Sequence, residues 1–526
     1  MMASARRWAA FSGLLALLLG AAFVRSAAPT FDEPVHLASG AAALSGDYGV
    51  NAPDHPPFAE MWAALPARLL GAELPPERAH MGVYELGDRF LYGGGKPAGR
   101  ILAAARLFCL FAWGGLIGLG LWRWAARLGG EPAAAAALLW AALCPVLISN
   151  ISLATTDGAS AALFFLTFAL LSAPERTRRV WACAGACAGL AMASKYNMLL
   201  LPLLAALVLT ARPQRERPKA SGPLLAAGCA VLAWAAVYRF SPLPLYWRGL
   251  GATFHRLEEG RGSFLLGRRS VEGAWLYFPL AFAAKTPLAF FPLAALGAAA
   301  LKGKERRRDL LWIFIPFAGY FAAAMTAKVQ IGVRHLLPIY PFLALLAGLG
   351  FARLWARRGR ARIAAAALAL WAGVSVGLCA PDLLAYFNEA AGGPGNGWRV
   401  LADSNLDWGQ GLKELAAYLR SIGNPPIYLC YFGVADPAYY GIRYAPVLPP
   451  PHVRRLPPPA DPESSGRALL AISATNLQGV YFSDPSLFAW LKERRPLAVA
   501  GYSIFVYDLT DDPAARAWLR KLSQKA

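Results

Sequence analysis

Repeated long apolar stretches constrain this chain more than any other feature of its sequence. A helix needs about 20 mostly apolar residues to cross a bilayer. Only 16% of the residues are charged and 57% are hydrophobic, whereas soluble chains carry roughly 25% charged residues. We therefore predict an all-α polytopic membrane protein with a bundle of about eleven transmembrane helices. The predicted spans are 8–25, 101–122, 133–150, 158–173, 179–194, 197–211, 222–240, 276–300, 309–327, 334–354 and 363–380.

The connections between these stretches alternate in charge, and the basic ones fall on one side of the predicted membrane. The positive-inside rule makes that side cytoplasmic. The N-terminus is then cytoplasmic, while the loop 26–100, the loop 241–275 and the tail 381–526 are extracytoplasmic. The cations that define the pattern are Arg6, Arg7, Arg123, Arg127, Arg176, Arg178, Arg179, Arg212, Arg215, Arg217, Lys219, Lys302, Lys304, Arg306, Arg307, Arg308, Arg353, Arg357, Arg358, Arg360 and Arg362.

The net charge of +21 has a second interpretation, which is nucleic-acid binding. Such a protein would gather its Lys and Arg on one soluble face, whereas here they lie between apolar stretches. We therefore expect membrane lipids as partners and no nucleic acid. The first stretch also has two interpretations, a retained helix or a signal peptide cleaved after 26–28. Its length favours the retained helix, and residue 32 is extracytoplasmic in both cases.

The tail has a different pattern from the rest of the chain. The runs 427–432, 468–473 and 498–507 are typical of strands, the segments 412–420 and 486–494 are typical of helices, and 444–459 is a proline-rich connection. We predict two domains, a transmembrane domain over 1–380 and an extracytoplasmic α/β domain over 381–526.

Carboxylates stand at three places on the extracytoplasmic side. Asp32 and Glu33 follow the first span directly, and Thr30 with Glu33 also fits a capping box, which explains Glu33 but leaves Asp32 without a role. Asp54 and His55 lie in a proline-rich turn, where an ordinary helix start is the alternative. Asp157 precedes the fourth span and would serve either as an N-cap or in a functional site.

Cations lie at the same level of the membrane. They are Lys195, Lys285, Lys328, Arg334 and His335. Lys285 is the most unusual, because it lies about two turns inside a span, where a lysine is costly unless it snorkels or meets an anion. A lipid phosphate lies at this depth, and cations can hold a phosphate leaving group there. A nearby carboxylate can take the proton of an acceptor hydroxyl.

These residues resemble the membrane glycosyltransferases of the C superfamily. The resemblance is greatest to the bacterial branch of glycosyltransferase family 39, which is related to protein O-mannosyltransferases and aminoarabinose transferases. It covers roughly residues 1–380. The residues that carry it are Asp32-Glu33, His55-Pro56-Pro57, Thr156-Asp157, Ser194-Lys195-Tyr196, Lys285-Thr286-Pro287 and Gly332-Val333-Arg334-His335-Leu336-Leu337-Pro338.

The resemblance implies an inverting transfer, without a metal or another cofactor, from a polyprenyl-phosphate sugar to a hydroxyl acceptor at the bacterial cytoplasmic membrane. It makes Asp32 the base and Glu33 its support. Asp54, His55 and Asp157 are expected near the acceptor or in loop organisation. The expected ligands of the donor phosphate are Lys195, Lys285, Arg334 and His335.

Two further classes of protein fit parts of the pattern. A transporter of lipid-linked sugars would show internal repeats and polar sites near the midplane, and a non-enzymatic assembly protein would leave Lys285 and the acidic pair unexplained. A transferase of a non-sugar group is closer to the main hypothesis. The string 402–410, Ala-Asp-Ser-Asn-Leu-Asp-Trp-Gly-Gln, resembles the tails of similar bacterial transferases, and we expect it to cap a helix at Leu412.

Overall fold

The structure is a computed structural model that describes residues 2–50, 54–211, 218–241, 243–301, 307–450 and 460–524. Several positions used above lie outside the described residues. They are 51–53 before Asp54, the cations Arg212, Arg215, Arg217, Lys302, Lys304 and Arg306, and 451–459 of the proline-rich connection.

The chain begins with a long apolar helix, and short helices follow it in the loop 26–100. Helix α1 covers Met2–Ser26, and the loop then folds into α2 (Glu33–Leu44), α3 (Phe58–Leu69) and α4 (Val83–Tyr92). Both α3 and α4 pack against α2. Asp32, at the start of α2, therefore lies within a folded unit.

The bundle continues with apolar helices of unequal length. They are α5 (Ala98–Ala142), α6 (Pro145–Ser152), α7 (Thr156–Leu171), α8 (Arg178–Met192), α9 (Leu200–Thr210) and α10 (Ser221–Val237). The loop 241–275 forms α11 (Leu243–Glu259) and a hairpin of β1 (Ser263–Leu265) and β2 (Arg268–Ser270). After it come α12 (Tyr277–Lys285), α13 (Phe290–Ala300), α14 (Arg307–Met325), a 3₁₀ helix (Val333–Ile339), α15 (Tyr340–Ala356) and α16 (Arg360–Cys379).

Within the described residues, five helices are long and apolar enough to cross a membrane. The number rises to seven if each of two bent pairs is one span, α6 with α7 at 117° and α12 with α13 at 102°. Helix α5 covers the predicted span 101–122 and the first part of 133–150, with a break at Gly130, whose φ of 78° lies in the left-handed region. Helices α8, α9 and α10 have only 15, 11 and 17 residues. The protein is thus a mostly helical, multi-pass membrane protein, and the count of eleven spans stays a prediction.

Basic connections meet at one end of the bundle. Arg6 lies 3.4 Å from Glu131, Arg127 lies 3.2 Å from Asp309, and Arg308 donates to the carbonyl of Ala173 over 3.0 Å. Helix α7 begins with Thr156 and ends at Leu171 beside this cluster. At 1.5 Å per residue, its two ends are roughly 22 Å apart. The basic connections and Asp157 therefore lie at different levels of the bundle.

The tail contains a five-stranded mixed sheet. Its strands are β3 (Ile427–Cys430), β4 (Tyr444–Pro446), β5 (Leu469–Ser473), β6 (Ala498–Ala500) and β7 (Ile504–Asp508), in the order β4-β3-β5-β7-β6. Strand β3 is parallel to β4 and β5, while β7 is antiparallel to β5 and β6. Helices α17 (Leu412–Ser421), α18 (Ala474–Leu477) and α19 (Pro513–Ser523) accompany the sheet.

Most of the tail elements agree with the sequence pattern. The runs 427–432 and 468–473 contain β3 and β5, and 412–420 lies within α17. The run 498–507 contains two strands, because the chain turns back between Ala500 and Ile504. The segment 486–494 holds only a short 3₁₀ helix, Ala489–Glu493.

The tail and the helices share one apolar core. The same buried cluster contains Trp113 and Phe342 from the bundle together with Trp408 and Tyr428 from the tail. The buried core therefore includes residues from both sides of position 380, where the sequence predicts a domain boundary.

Candidate functional site

A cavity of about 600 Å³ opens where the loop 26–100, α11 and the 3₁₀ helix Val333–Ile339 meet. Six of the nine predicted site residues contribute to its wall, which are Asp32, Asp54, His55, Lys195, Arg334 and His335. Asp157 lies behind the wall and binds two of these side chains, while Glu33 and Lys285 lie outside the lining. Carboxylates and cations from distant parts of the chain thus meet in one place.

Asp32 occupies the N-cap position of α2, and no side-chain capping hydrogen bond is assigned to it within the described part of the loop. Its carboxylate, with 27% of the side chain exposed, lies 3.3 Å from Nη1 of Arg334. Asp32 is therefore both reachable from the cavity and placed against a cation.

Asp157 holds two cations in the wall of the cavity. Its side chain is only 1% exposed; Oδ1 lies 2.5 Å from Nζ of Lys195, and Oδ2 lies 3.2 Å from Nη1 of Arg334. The expectation that Asp157 is an N-cap is wrong, because α7 begins one residue earlier and its N-cap is Thr155. Asp157 therefore positions Lys195 and Arg334 relative to each other.

Glu33 is buried away from the cavity. It accepts from Nε and Nη2 of Arg106 over 2.8 and 2.6 Å, and from the backbone N–H groups of Thr30 and Ala154 over 2.9 and 3.0 Å. Burial alone would raise the pKa of this carboxyl, but Arg106 and these donors hold it below its ordinary value. The contact with Thr30 is the one that a capping box predicts. Glu33 is 0% exposed and does not reach the cavity, and its support of Asp32 stays a prediction.

Lys285 is also directed away from the cavity. Its ammonium donates to the carbonyls of Leu384, over 2.9 Å, and Asn405, and it lies 4.3 Å from the ring centroid of Phe387. With 1% of the residue exposed, direct binding of a phosphate in the cavity is contradicted for Lys285. The depth of this lysine is explained by backbone oxygens of the tail, which replace water around the charge.

Two residues next to His55, His36 and Glu60, had no signal in the sequence that singled them out. Nδ1 of His36 lies 2.8 Å from Oε1 of Glu60, and the rings of His36 and His55 have centroids 5.1 Å apart. Burial would lower the pKa of His36, but the hydrogen bond and charge of Glu60 raise it, whereas burial and His36 hold the pKa of His55 well below its ordinary value. His36 and Asp32 are four residues apart on one helix, a spacing that places both on one face.

Two further cations of the cavity wall, Arg256 and Arg261, come from the loop 241–275. Arg256 forms an ion pair with Asp54, and the guanidinium of Arg261 lies 5.2 Å from the ring centroid of Tyr481. Burial would lower the pKa of Arg261, but Tyr481, Asp403 and Asp32 raise it. Charge in a long translocated loop carries little sequence signal, so these two residues could not be singled out.

Comparison with known proteins places this geometry in a family context. Residues 99–239 match the family model described as dolichyl-phosphate-mannose-protein mannosyltransferase. A search of curated protein sequences found no match.

Two solved structures of ArnT from Cupriavidus metallidurans are similar to the chain over nearly its whole length. The structure bound to undecaprenyl phosphate is 16% identical, with a TM-score of 0.51 over 95% of this chain and 98% of that chain. The apo structure is 16% identical, with a TM-score of 0.50 over 96% and 98%. The sequence of residues 99–239 is thus similar to the mannosyltransferase family model, and the fold of nearly the whole chain is similar to that of ArnT.

Proposed function

We propose that the protein transfers a sugar from a polyprenyl-phosphate carrier to a hydroxyl acceptor at the extracytoplasmic face of a bacterial cytoplasmic membrane. The observation that carries the proposal is the contact between Asp32 and Arg334 in an open cavity, 3.3 Å apart. One side chain can accept a proton, and the other can bind a phosphate. The ArnT structure with undecaprenyl phosphate supports the class of carrier.

The reaction is a single displacement. The acceptor oxygen forms a bond to the anomeric carbon while the bond from that carbon to the phosphate oxygen breaks. The electron pair of the broken bond stays on the phosphate, and the hydroxyl proton goes to Asp32. Attack from the face opposite the leaving group inverts the anomeric centre. General-base catalysis of this kind contributes about 10²–10⁴-fold to a rate.

Cations in the cavity wall receive the charge of the leaving phosphate. Lys195, Arg261 and Arg334 lie on that wall, and a charge-assisted hydrogen bond is about twice as strong as a neutral one. Asp157 keeps Lys195 and Arg334 together, because it is buried and bonded to both. Asp32 is more exposed, so an arriving phosphate competes with Asp32 for Arg334 and leaves its carboxylate ready to accept a proton.

The orientation follows from the charges of the two ends of the bundle. The cluster around Arg6, Arg127 and Arg308 supports a cytoplasmic position for that end under the positive-inside rule. The cavity, the loops 26–100 and 241–275 and the tail then lie outside. No metal is invoked, and among the described residues no group of three His, Cys, Asp or Glu side chains is placed to hold one.

Reconstitution of the full-length protein in liposomes tests the proposal. Radiolabelled polyprenyl-phosphate hexoses and pentoses are supplied with a cell-envelope fraction as acceptor, and loss of label from the lipid is measured. We expect turnover by the wild type and a loss of about 10²–10⁴-fold in Asp32→Asn. Asp47→Asn is the matched control, because Asp47 lies in the same loop, is 43% exposed and pairs with Arg78 rather than with the cavity.

Equal turnover by the wild type and Asp32→Asn would remove Asp32 as the base. Turnover that requires a nucleotide sugar in place of the lipid donor would overturn the donor assignment. Movement of intact lipid-linked sugar across the bilayer, without transfer, would favour a transporter instead.

A further inference from the structure

The tail segment 402–410, which we call the positioning segment, is buried along its whole length. It contains five polar side chains, Asp403, Ser404, Asn405, Asp407 and Gln410. Burying such groups is costly unless they are hydrogen-bonded. The expectation that the string caps the helix at Leu412 is wrong, because the N-cap of α17 is Gly411, which has no side chain to cap the helix.

One side of the positioning segment holds Arg334. The hydroxyl of Ser404 accepts from Nε of Arg334 over 3.0 Å and donates to the carbonyl of Ile331 over 2.7 Å. The guanidinium carbon of Arg334 lies 4.0 Å from the ring centroid of Trp408. The segment thus fixes one edge and one face of the guanidinium, and Nη1 is left directed at Asp32 and Asp157.

The opposite side of the same segment holds the residue before Asp32. The carbonyl of Trp408 accepts from the backbone N–H of Phe31 over 2.9 Å, and the carbonyl of Gln410 accepts from the N–H of Ala28 over 2.8 Å. These two bonds fix the backbone that enters α2. Trp408 therefore contacts Arg334 through its ring and Phe31, the residue before Asp32, through its backbone.

The positioning segment is itself anchored to the bundle. Asn405 accepts from the N–H of Val333 over 2.8 Å and donates to the hydroxyl of Tyr277 over 2.9 Å, while its carbonyl accepts from Lys285. A Cβ on Gly332 would lie 2.1 Å from Oγ of Ser404, so the close approach of the segment requires glycine there. Lys285 thereby stabilises the segment that positions Arg334.

We propose that the positioning segment 402–410 is a functional part of the active site, which sets the distance and orientation of Asp32 relative to Arg334 through Trp408 and Ser404. The role in catalysis rests on the proposed function above. These residues act through Arg334 and Phe31 and are positioning residues. Their replacement should therefore reduce turnover per folded molecule. Loss of an outer-shell partner of this kind typically costs about 10–100-fold in activity, by analogy with metal sites.

The test compares three variants of the full-length protein in liposomes. Trp408→Leu removes the ring under Arg334, whereas Trp408→Phe keeps an aromatic face. Trp398→Leu is the matched control, because Trp398 is a buried tail tryptophan that also stacks on an arginine, with the guanidinium of Arg399 4.9 Å from its ring centroid. We expect kcat/KM to fall about 10–100-fold in Trp408→Leu, to recover largely in Trp408→Phe, and to change little per folded molecule in Trp398→Leu.

Two results would overturn the proposal. One is equal turnover per folded molecule in Trp408→Leu and Trp398→Leu, which would reduce the segment to ordinary packing. The other is an equal loss in Trp408→Leu and Trp408→Phe, which would show that an aromatic face does not hold Arg334.

Hydrogen exchange of the peptide 28–36 separates this proposal from the proposed function, because it needs no donor or acceptor. Faster exchange in Trp408→Leu than in Trp398→Leu is expected, and equal exchange in the two variants contradicts the coupling. If the wild type transfers no sugar but the variants show the expected difference in exchange, the proposed function is wrong and the structural coupling still holds.

Discussion

Replacement of Glu33 by Gln separates the two adjacent acids of the sequence most directly. The two acids are adjacent in the sequence, but the carboxylate of Asp32 faces the cavity and that of Glu33 is buried in the interior. We expect Glu33→Gln to unfold more easily and Asp32→Asn to remain folded without activity. The physical reason is that only Glu33 neutralises a fully buried arginine, Arg106.

The magnitude follows from the contacts of the carboxylate. Glu33 accepts five hydrogen bonds, two on Oε1 and three on Oε2. A glutamine has one oxygen in place of two, and its NH₂ group would face the N–H and O–H donors that the second oxygen now accepts from. It also leaves the charge of Arg106 unpaired. Removing one partner of a buried ion pair costs about 3–5 kcal/mol. Native proteins have a total stability of about 5–15 kcal/mol, so the loss is large.

Thermal unfolding of the purified variants in detergent measures the effect. Glu85→Gln is the control, because Glu85 lies in the same loop and pairs at 3.9 Å with Arg89, which is 44% exposed; such a pair contributes less than about 1 kcal/mol. The pKa of Glu33 is held below its ordinary value, so its stabilisation is present at neutral pH. The difference in melting temperature between wild type and Glu33→Gln should become smaller as the pH falls below 4.5 toward the lowered pKa of Glu33. A melting temperature of Glu33→Gln equal to that of the wild type, with a lowered one for Asp32→Asn, would refute the structural role of Glu33.

Four further outcomes are expected. Lys285→Met should lower the melting temperature, because two buried carbonyls lose their donor. Glu60→Gln should lower the pKa of His36, measured by NMR of labelled histidine. The stabilisation by the His36–Glu60 pair is complete below pH 6.5 and is lost as the pH rises through the raised pKa of His36. Burial raises the pKa of Asp407 from 3.8 to about 7, so the stability of Asp407→Asn relative to wild type should increase as the pH rises through this interval, as measured in urea titrations. A fragment of residues 1–380 should fail to give a monodisperse peak in size-exclusion chromatography, because its core would lose the tail residues that complete it.

Sequence predicted the class of fold well and the path of the helices less well. Apolar composition identified a helical membrane protein, and alternation of apolar and turn residues located β3 and β5. Hydropathy reports the composition of a window of sequence and contains no information about the direction in which a helix runs. It therefore could not show the 102° bend between α12 and α13 or the 117° bend between α6 and α7.

The site was predictable where a residue's own position along a span gave the signal. Asp32, Lys195 and Arg334 were found because each lies at a helix end on one side of the membrane. The partners that divide the roles of Asp32 and Glu33 were not found, since Arg106 lies 73 positions after Glu33, within an apolar run. The depth of Lys285 was recognised as unusual, but its partners are backbone oxygens, which have no residue type and leave no trace in sequence.

The boundary at residue 380 is therefore one of hydropathy and not of packing. The carboxylate of Asp32 comes from the first loop and the guanidinium of Arg334 from the 3₁₀ helix Val333–Ile339. In the tail, the ring of Trp408 and the hydroxyl of Ser404 contact Arg334, and the carbonyl of Trp408 accepts from Phe31, the residue before Asp32. A base and a phosphate ligand work together only at a fixed separation, because a misplacement of about 1 Å can cost 10²-fold in rate. Since the elements that fix this separation lie on both sides of residue 380, we expect the bundle and the tail to act as one unit in the proposed reaction.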